Sequence, residues 1–416
     1  MLSVDDALAQ VLARAVPIED ADRVPTLAAD GRVLAAAQHS ALNVPPMDNV
    51  AMDGYAVRVE DVVRQRRLTV SQRVAAGEVA APLAPGTVAR VFTGAMLPPG
   101  ADAVVMQEQT RVDGDTVEIL EAPRIGDWIR NAGEDIAADS VILAKGARLT
   151  PQATGLAASV GIAELSVVRR VRVACFFTGN ELVMPGEPLR DGAIYNSNRF
   201  VLVSLLRRLG CEITDLGIVP DSLEATRAAL VSAAAGNDLI VTCGGMSVGE
   251  EDHVKPAVQA EGELELWQIS MKPGKPLAYG QVRRAAGGQG GAAGATAGAA
   301  AGGFAHFIGL PGNPVSSFVT FLIFVRPFLL ALQGVGDLAP RSRALRADFE
   351  WPKPDRRREF LRVRLNAGGG LDLFPNQSSA VLTSTVWGDG LVDNPGGRSI
   401  DRGDLVRFIP FSELLN

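Results

Sequence analysis

The sequence predicts an α/β protein that also carries two all-β domains. Three observations favour this class. Strand-like and helical segments alternate between residues 171 and 332, short β-type runs broken by Gly and Pro fill residues 68–120, and β-type patterns return after residue 334. Alternating strands and helices are typical of a doubly wound domain with a parallel sheet, whereas separate runs of short strands indicate barrel-like β domains.

Composition excludes several classes of protein. The chain has 416 residues, of which 47% are hydrophobic, and its formal net charge is −7, which argues against a general nucleic-acid-binding surface. Cys175, Cys211 and Cys243 lack metal-ligand spacing and are interpreted as core residues. The acidic N-terminus does not resemble a signal peptide, and the apolar run 315–325 is short for a bilayer, so we expect a soluble cytoplasmic protein.

The N-terminal third combines a helix, polar loops and β-type runs. A helix is predicted over residues 3–15, with Ser3 at the N-cap position. The polar loop 43–57 contains the turn Asp53-Gly54, and its side chains form either an exposed polar cluster or Asx turns that satisfy their own backbone. After the β-type runs, Glu134 and Asp135 form a second acidic bend.

Polar residues and glycines follow the predicted strands of the central α/β segment. A helix over 149–160, capped by Thr150, precedes it; the strands are 171–177, 213–219 and 238–243, and the intervening helices are 196–209 and 223–235. Ligands of open α/β sheets bind beyond the carboxyl ends of the strands. The candidate ligand-binding residues at these ends are therefore Thr178, Glu181, Asp221, Gly244 and Gly245.

The stretch 238–280 carries the densest group of reactive side chains. Gly244 and Gly245 allow backbone amides to approach an anion, and the polar residues that follow are Ser247, Glu250, Glu251 and Asp252. Lys272 and Lys275 then lie on a turn stiffened by two prolines. Carboxylates suited to Mg²⁺ and fixed lysines together predict phosphate or oxyanion chemistry, whereas the alternative is a solvated acidic turn followed by a basic one.

A low-complexity segment and a long apolar helix follow. Residues 285–303 are almost only Ala and Gly and are predicted to form a flexible hairpin extension without a functional role. After the strand 304–310, Asn313 suits the N-cap of a helix that continues to residue 332. Its first amides, with Ser316 and Ser317, suit an anion, although capping alone is the alternative. Because the helix is apolar on nearly every face, we expect it to pack against the sheet and another subunit.

The last segment, 334–416, is predicted to be a separate β domain. Arg356, Arg357 and Arg358 are interpreted as edge charges that discourage strand pairing. Ser378 and Ser379, on the turn after Asn376, are alternative members of an anion site.

Seven motifs carry a resemblance to a known family. In chain order they are DNVAMDGYAV, FTGAMLPPGADAVV, IRNAGEDI, TGNEL, GGMSVGEEDHV, MKPGKPLAYG and GLPGNPVSS. Together they resemble the molybdopterin molybdenumtransferases, the family that includes the E domain of gephyrin, over nearly the whole chain. The sequence departs from the family pattern at Glu251, where an aromatic residue is usual, and in the Ala/Gly-rich insert.

The resemblance implies a homodimer of elongated, L-shaped subunits with four domains. Residues 1–20 and 168–332 correspond to an α/β molybdopterin-binding domain, and residues 21–42 and 141–167 to a linking domain. Residues 43–140 correspond to an inserted β domain that faces the partner subunit's site, and residues 333–416 to a C-terminal barrel-like β domain.

The resemblance also implies a reaction. Members of the family insert molybdate into adenylylated molybdopterin with a divalent metal such as Mg²⁺, release AMP and yield molybdenum cofactor. The alternatives are a molybdopterin adenylyltransferase, which shares the α/β core but lacks the β domains, and a non-catalytic scaffold like gephyrin. Small-molecule substrates are expected, and molybdopterin adenylyltransferase or other cofactor-biosynthesis proteins are candidate partners.

Site residues follow from the motifs. Glu181, Asp221 and Asp252 are predicted to bind Mg²⁺ and act in catalysis, and Asp53 and Asp135 to complete the cleft from the second subunit. The predicted substrate-binding residues are Thr93, Thr178, Gly244, Gly245, Ser247, Lys272, Lys275, Asn313, Ser316, Ser317, Arg358 and Ser379. Among these, the lysines and serines suit molybdate, Thr93 either contacts ligand or shapes its turn, and Arg358 and Ser379 suit a secondary oxyanion site.

Overall fold

The computed structural model describes residues 1–245, 252–284 and 303–415. The predicted class is confirmed, since a central α/β domain is joined to β domains built from other parts of the chain. The predicted Ala/Gly-rich hairpin extension lies outside the described residues, apart from Gly303 at its end.

The segments on either side of the inserted β domain pair with each other. The chain begins with helix Val4–Leu12, in which Ser3 Oγ accepts a hydrogen bond from the Asp6 amide at 3.0 Å. Strand Ala21–Pro25 pairs with Glu164–Val168, and Gln38–His39 pairs with Val141–Leu143. Short elements complete this region: the 3-10 turn Thr26–Ala28 and the helix Pro151–Ser159, which Thr150 caps.

The inserted β domain is one mixed sheet of short strands. Its six strands lie in the order Ala103–Met106, Gly54–Val57, Thr87–Val91, Arg67–Val74, Thr116–Ile119 and Thr110–Asp113. Additional elements are helix Val59–Arg64, the 3-10 turn Gln107–Gln109 and the paired strands Asn49–Val50 and Ile129–Arg130. Gly54 is required in the central strand, because a Cβ there would lie 1.9 Å from the Val105 carbonyl oxygen.

The central sheet is mixed rather than wholly parallel, which corrects the prediction. Its strands lie in the order Glu212–Val219, Arg172–Thr178, Leu239–Cys243, Phe304–Leu310, Pro276–Arg283 and Gly262–Gln268. The first four are parallel, and the last two are antiparallel to their neighbours. Strand Pro276–Arg283 pairs antiparallel with Phe304–Leu310, and Gly262–Gln268 pairs antiparallel with Pro276–Arg283 at the edge of the sheet.

Helices cover both faces of this sheet. Helices Val4–Leu12, Ser197–Arg208 and Pro314–Leu332 pack on one face, and Leu223–Ala234 and Val254–Glu261 on the other. Pro314–Leu332 changes from α-helix to a π-helical turn at Phe321–Val325 and back to α-helix at Arg326–Leu332. By length and composition this helix is apolar enough to cross a membrane, but 89% of its apolar window is buried in the fold, as in the core of a soluble protein.

The C-terminal β domain is tied to the α/β domain by backbone pairing. Its strands lie in the order Met271–Lys272, Arg358–Leu365, Gly390–Asn394, Leu405–Pro410 and Arg343–Arg346, with Leu371–Leu373 beside the second. Short helices span Thr383–Trp387 and Phe411–Leu414. Met271–Lys272 comes from the α/β segment and pairs in parallel with the start of Arg358–Leu365, so one strand bridges the two domains.

Candidate functional site

A cavity of about 1040 Å³ opens at the carboxyl ends of the parallel strands. Eleven of the residues selected from the sequence line it: Thr178, Glu181, Asp221, Gly244, Gly245, Asp252, Lys272, Lys275, Asn313, Ser316 and Ser379. The sheet order explains this gathering, because parallel strands end at one rim and the antiparallel strand Pro276–Arg283 begins there.

Charge changes sign along this rim. Asp221 and Glu181 follow the two strands at one side of the sheet, and Gly244 follows the strand in the middle. On the other side, Lys272 and Lys275 precede the strand Pro276–Arg283. We call these two parts the acidic half and the basic half of the rim.

The loops of the acidic half hold one another through hydrogen bonds from backbone amides to side-chain oxygens. The Asn180 amide donates to Asp221 Oδ2 at 2.8 Å, and the Asp221 amide donates to Asn180 Oδ1 at 3.3 Å. A Cβ at Gly179 would lie 2.7 Å from Glu181 Oε2, so the Glu181 carboxylate packs over this glycine. These contacts fix two carboxylates on one wall of the cavity.

The three predicted metal ligands line one cavity without converging on a point. Glu181, Asp221 and Asp252 all line the cavity, yet within the described ranges no group of three or more His, Cys, Asp or Glu side chains is close enough to hold a metal ion by itself. Mg²⁺ usually takes one or two protein carboxylates together with substrate phosphates and waters, so a protein-only cage is not required. The carboxylates present fit such a shared site.

Glycines at the middle of the rim are required by close packing. Gly244 and Gly245 have φ angles of 104° and 61°, and a Cβ at Gly244 would lie 2.5 Å from the Thr178 carbonyl oxygen. The Gly244 amide donates to the Leu310 carbonyl at 3.3 Å, so this amide is partly engaged within the fold. Thr178 Oγ1 is buried and, among the described residues, accepts or donates no hydrogen bond. A Cβ at Gly244 or Gly245 would lie 3.0 Å from this oxygen, so the hydroxyl packs against the two glycines. Ser247, also predicted here, lies outside the described residues.

The two lysines of the basic half differ in their partners. Lys272 Nζ lies 3.3 Å from Glu359 Oε1 and 3.7 Å from Asp355 Oδ2. Lys275 takes part in none of the ion pairs found in the part of the chain that the structure describes. Gly274 between them has a φ of 99°, and a Cβ there would lie 2.5 Å from Thr320 Oγ1, so the turn packs directly on the long helix.

The two candidate serines in the first turn of helix Pro314–Thr320 lie in different environments. Ser316 lines the cavity, whereas Ser317 lies beneath it, with its Oγ 3.4 Å from Cys243 Sγ. Asn313 occupies the N-cap position and lines the cavity, but its side chain makes no capping hydrogen bond in the described structure, contrary to the expected cap. The Val315 amide instead donates to the Ser379 carbonyl at 2.9 Å, which holds the C-terminal domain against this helix.

The arginine that reaches the cavity is Arg357, not Arg358. Arg357 lines the cavity and forms a bidentate pair with Asp355 at 2.7 and 3.0 Å, which holds the Asp355 pKa well below its usual range. Arg358 instead pairs with Asp393 at 2.6 and 2.7 Å and with Asp5 at 2.8 Å, beside a separate cavity of about 480 Å³. Consecutive residues at the start of a strand point in opposite directions, which explains why Arg357 rather than Arg358 faces the cavity.

Three predicted residues of the inserted domain lie away from this cavity. Asp53 Oδ1 accepts hydrogen bonds from the amide and hydroxyl of Thr93, each at 2.8 Å, and these two bonds lower the pKa of Asp53. Asp135 donates its amide to the Val44 carbonyl at 2.9 Å. Neither carboxylate nor Thr93 is among the residues lining the cavity of the same chain.

The residues that connect the acidic and basic halves of the rim were not predicted from the sequence. Asn198 Nδ2 donates to the Gly312 carbonyl at 2.7 Å and to Cys243 Sγ at 3.1 Å, and the Cys243 thiol donates to the Pro311 carbonyl at 3.0 Å. Burial raises the pKa of Cys243 to about 11, so the thiol is neutral. Asn198 lies in the first turn of a helix at the ligand-binding edge, and this position was the signal in the sequence.

The C-terminal domain contributes a further supporting group. Arg362 is buried, and its guanidinium donates to the Ser378 carbonyl at 3.1 Å and to Ser384 Oγ at 3.2 Å. Burial lowers the pKa of Arg362 to about 10. Its backbone amide also bonds Gln377 Oε1 at 2.9 Å, so Arg362 shapes the cavity-lining turn that ends at Ser379.

Comparisons with known proteins cover all three parts of the chain. Family models match residues 2–161 as a MoeA N-terminal region (domain I and II), residues 174–331 as a probable molybdopterin binding domain, and residues 344–411 as a MoeA C-terminal region (domain IV). The first match spans the N-terminal helix and the inserted β domain with most of its flanking segments, the second falls on the α/β domain, and the third falls on the C-terminal β domain.

Full-length relatives and solved structures agree with these matches. A molybdopterin molybdenumtransferase from Haemophilus influenzae is 40% identical over 80% of this chain and 78% of the relative. Molybdopterin molybdenumtransferase 2 from Mycobacterium tuberculosis is 35% identical over 89% of this chain and 90% of the relative. A crystal structure of a molybdopterin biosynthesis protein from Pyrococcus horikoshii matches with a TM-score of 0.78 and 31% identity, covering 99% of both chains.

Proposed function

The chain belongs to the molybdopterin molybdenumtransferase family, and we propose that its cavity inserts molybdate into adenylylated molybdopterin with release of AMP. The observation that carries this proposal is the change of charge along one rim, from Asp221 and Glu181 to Lys272 and Lys275. Two anionic reactants need cationic and hydrogen-bond donors, and phosphoanhydride cleavage needs carboxylates or a metal nearby.

The basic half is the proposed molybdate site. Lys272 and Lys275 supply ammonium donors, and Ser316 and Ser379 supply hydroxyls at the same cavity. Molybdate is a tetrahedral dianion, and charge-assisted hydrogen bonds from fixed donors bind such groups more strongly than neutral ones do. Asn313, with no capping bond in the described structure, is a further donor at this wall.

The acidic half is the proposed site of phosphoanhydride cleavage. In this step an oxygen nucleophile attacks phosphorus, the bridging P–O bond breaks, and AMP leaves with the bridging electron pair. Asp252, Glu181 and Asp221 would hold Mg²⁺, which when bound neutralises charge on the phosphate oxygens. Thr178, which lines the cavity, would shape the substrate-binding wall at the middle of the rim.

The proposal also includes a cytoplasmic homodimer. Asp53, Thr93 and Asp135 do not line the cavity of their own chain, and a second subunit would bring its inserted domain to the cleft. Molybdopterin adenylyltransferase is a candidate partner for delivery of the substrate. Neither adenylyltransferase activity nor a purely structural role is favoured, because curated relatives along most of the chain are named as molybdenumtransferases.

Turnover tests the activity directly. Purified protein is incubated with adenylylated molybdopterin and Mg²⁺, with and without molybdate, and AMP is measured by chromatography. Molybdate-dependent AMP release is expected. No release under either condition, or adenylylation of molybdopterin by ATP as the sole activity, would reject the proposal.

Subunit mixing tests the shared cleft. Asp252→Ala and Asp53→Asn are each expected to be inactive, and random exchange of their subunits should restore about a quarter of wild-type activity, because half of the sites in mixed dimers are then intact. The measurement is AMP release after co-refolding equal amounts of the two variants. If the cleft were formed within one chain, mixing would restore no activity.

A further inference from the structure

A buried carboxylate lies directly behind one of the two cavity lysines. Glu359 is 0% exposed, and its Oε1 lies 3.3 Å from Nζ of Lys272, whose side chain is 38% exposed at the cavity. A buried charge that loses its partner is strongly unfavourable. Glu359 and Lys272 therefore constrain each other.

Backbone register brings this pair together. Strand Met271–Lys272 pairs in parallel with the start of strand Arg358–Leu365, and Lys272 is directly opposite Glu359. The two residues are far apart in sequence and belong to different domains. The C-terminal β domain thus delivers a carboxylate to a lysine of the α/β domain without itself supplying this residue to the cavity lining.

The other carboxylate oxygen is held by an aromatic residue. Trp351 Nε1 donates to Glu359 Oε2 at 2.7 Å, and the Trp351 ring centre lies 6.0 Å from Lys272 Nζ. Oε1 of Glu359 forms no hydrogen bond in the described structure, so its contact with Lys272 is ionic. An ammonium has three N–H donors, and because the Lys272 side chain is 38% exposed at the cavity, the donors not directed at Glu359 and Asp355 remain for a ligand.

We propose that Glu359 is a positioning residue that holds the Lys272 ammonium at the cavity wall for binding of the oxyanion substrate. Lys has a flexible four-carbon stem, and fixing it before binding reduces the entropy lost when the anion arrives. Lys275, which also lines the cavity, is the second ammonium at this wall. This inference rests on the proposed function and extends it to a residue behind the site.

Glu359→Gln tests the inference, because glutamine keeps the shape and still accepts the Trp351 hydrogen bond. The KM for molybdate is expected to rise about tenfold, with kcat for AMP release within about twofold of wild type. Glu350→Gln, an exposed change of the same type in the same domain, is the matched control and should leave both constants unchanged. An unchanged KM in Glu359→Gln would overturn the inference.

A double-mutant cycle separates positioning from general destabilisation. If Glu359 acts through Lys272, adding Glu359→Gln to Lys272→Met should raise the KM for molybdate no further. An additional rise equal to that of the single Glu359→Gln variant would overturn the inference. Absence of molybdate-dependent AMP release by the wild type would instead reject the proposed function, so the two failures are distinguishable.

A milder variant keeps the test decisive if Glu359→Gln does not fold. Trp351→Phe removes the N–H donor to Glu359 and makes the ring smaller, but it retains an aromatic ring beside Lys272. The KM for molybdate is expected to rise about threefold with kcat preserved, since one hydrogen bond to a charged group is lost. An unchanged KM in this folded variant would contradict the role of Glu359.

Discussion

The two halves of the cavity rim are held in place by different interactions. In the acidic half, Asp221 accepts a hydrogen bond from the Asn180 backbone, so strand-end loops of one domain fix the carboxylates. In the basic half, Lys272 is placed by Glu359 and Asp355, and Arg357 is placed by Asp355, all from the C-terminal domain. Local backbone geometry therefore sets one half, and pairing between domains sets the other.

This difference predicts different kinetic consequences for the two halves. Changes in the acidic half should lower kcat, because we assign phosphoanhydride cleavage to it. Changes in the basic half should raise the KM for molybdate, because we assign oxyanion binding to it. An acidic-half variant that changed only the KM for molybdate, or a basic-half variant that changed only kcat, would contradict this division.

The largest effect is expected in the acidic half. Asp252→Ala should lower kcat for AMP release by at least about a hundredfold while the circular dichroism spectrum and Tm stay close to wild type, because a carboxylate near the reacting phosphates is lost. Asp337→Ala, an exposed substitution beyond the long helix, is the matched control. Turnover at the wild-type rate by Asp252→Ala would refute its assigned role.

A smaller effect on a different constant is expected in the basic half. Lys275→Met keeps an unbranched side chain and should raise the KM for molybdate by about tenfold or more, because a charge-assisted contact is removed. Lys145→Met, an exposed change outside the cavity, should leave the KM unchanged. A reduced kcat with an unchanged KM would place Lys275 in cleavage rather than in molybdate binding.

The acidic half was largely predictable from the sequence. Thr178, Glu181 and Asp221 were selected because they follow β-rich runs, and parallel strands bring such positions to one edge. Lys272 and Lys275 were predictable as residues of a rigid turn, but the Glu359 partner was not, since it depends on strand register across the two domains. A sequence pattern alone does not specify which distant strand pairs with a given segment.

The direction of individual side chains was also not fully predictable from the sequence. Both Ser316 and Ser317 were predicted and only Ser316 lines the cavity, whereas Arg358 was predicted and its neighbour Arg357 lines it, because one step along a strand or helix redirects the side chain. The central sheet was predicted to be parallel, because alternation of strand and helix does not reveal the direction of the two strands that extend it, Pro276–Arg283 and Gly262–Gln268. Cys243 was correctly interpreted as buried, but its place under the rim required the structure.

The smallest effect is expected at the neutral middle of the rim. Burial raises the pKa of Cys243 from 9.0 to about 11, so its stabilising contribution is complete below pH 9 and is lost as the pH rises towards 11. Urea unfolding at pH 8 and pH 10.5 should show a smaller loss of stability for Cys243→Ser than for the wild type. An equal loss would indicate that folding does not raise the pKa of Cys243.

Molybdate soaking tests the division of the rim most directly. Crystals soaked in molybdate should show an anomalous molybdenum peak in the basic half, within hydrogen-bond distance of Lys275 and of Lys272 or Ser379, and the peak should weaken in Lys275→Met. A peak located only among Glu181, Asp221 and Asp252, or only outside the cavity, would contradict the account.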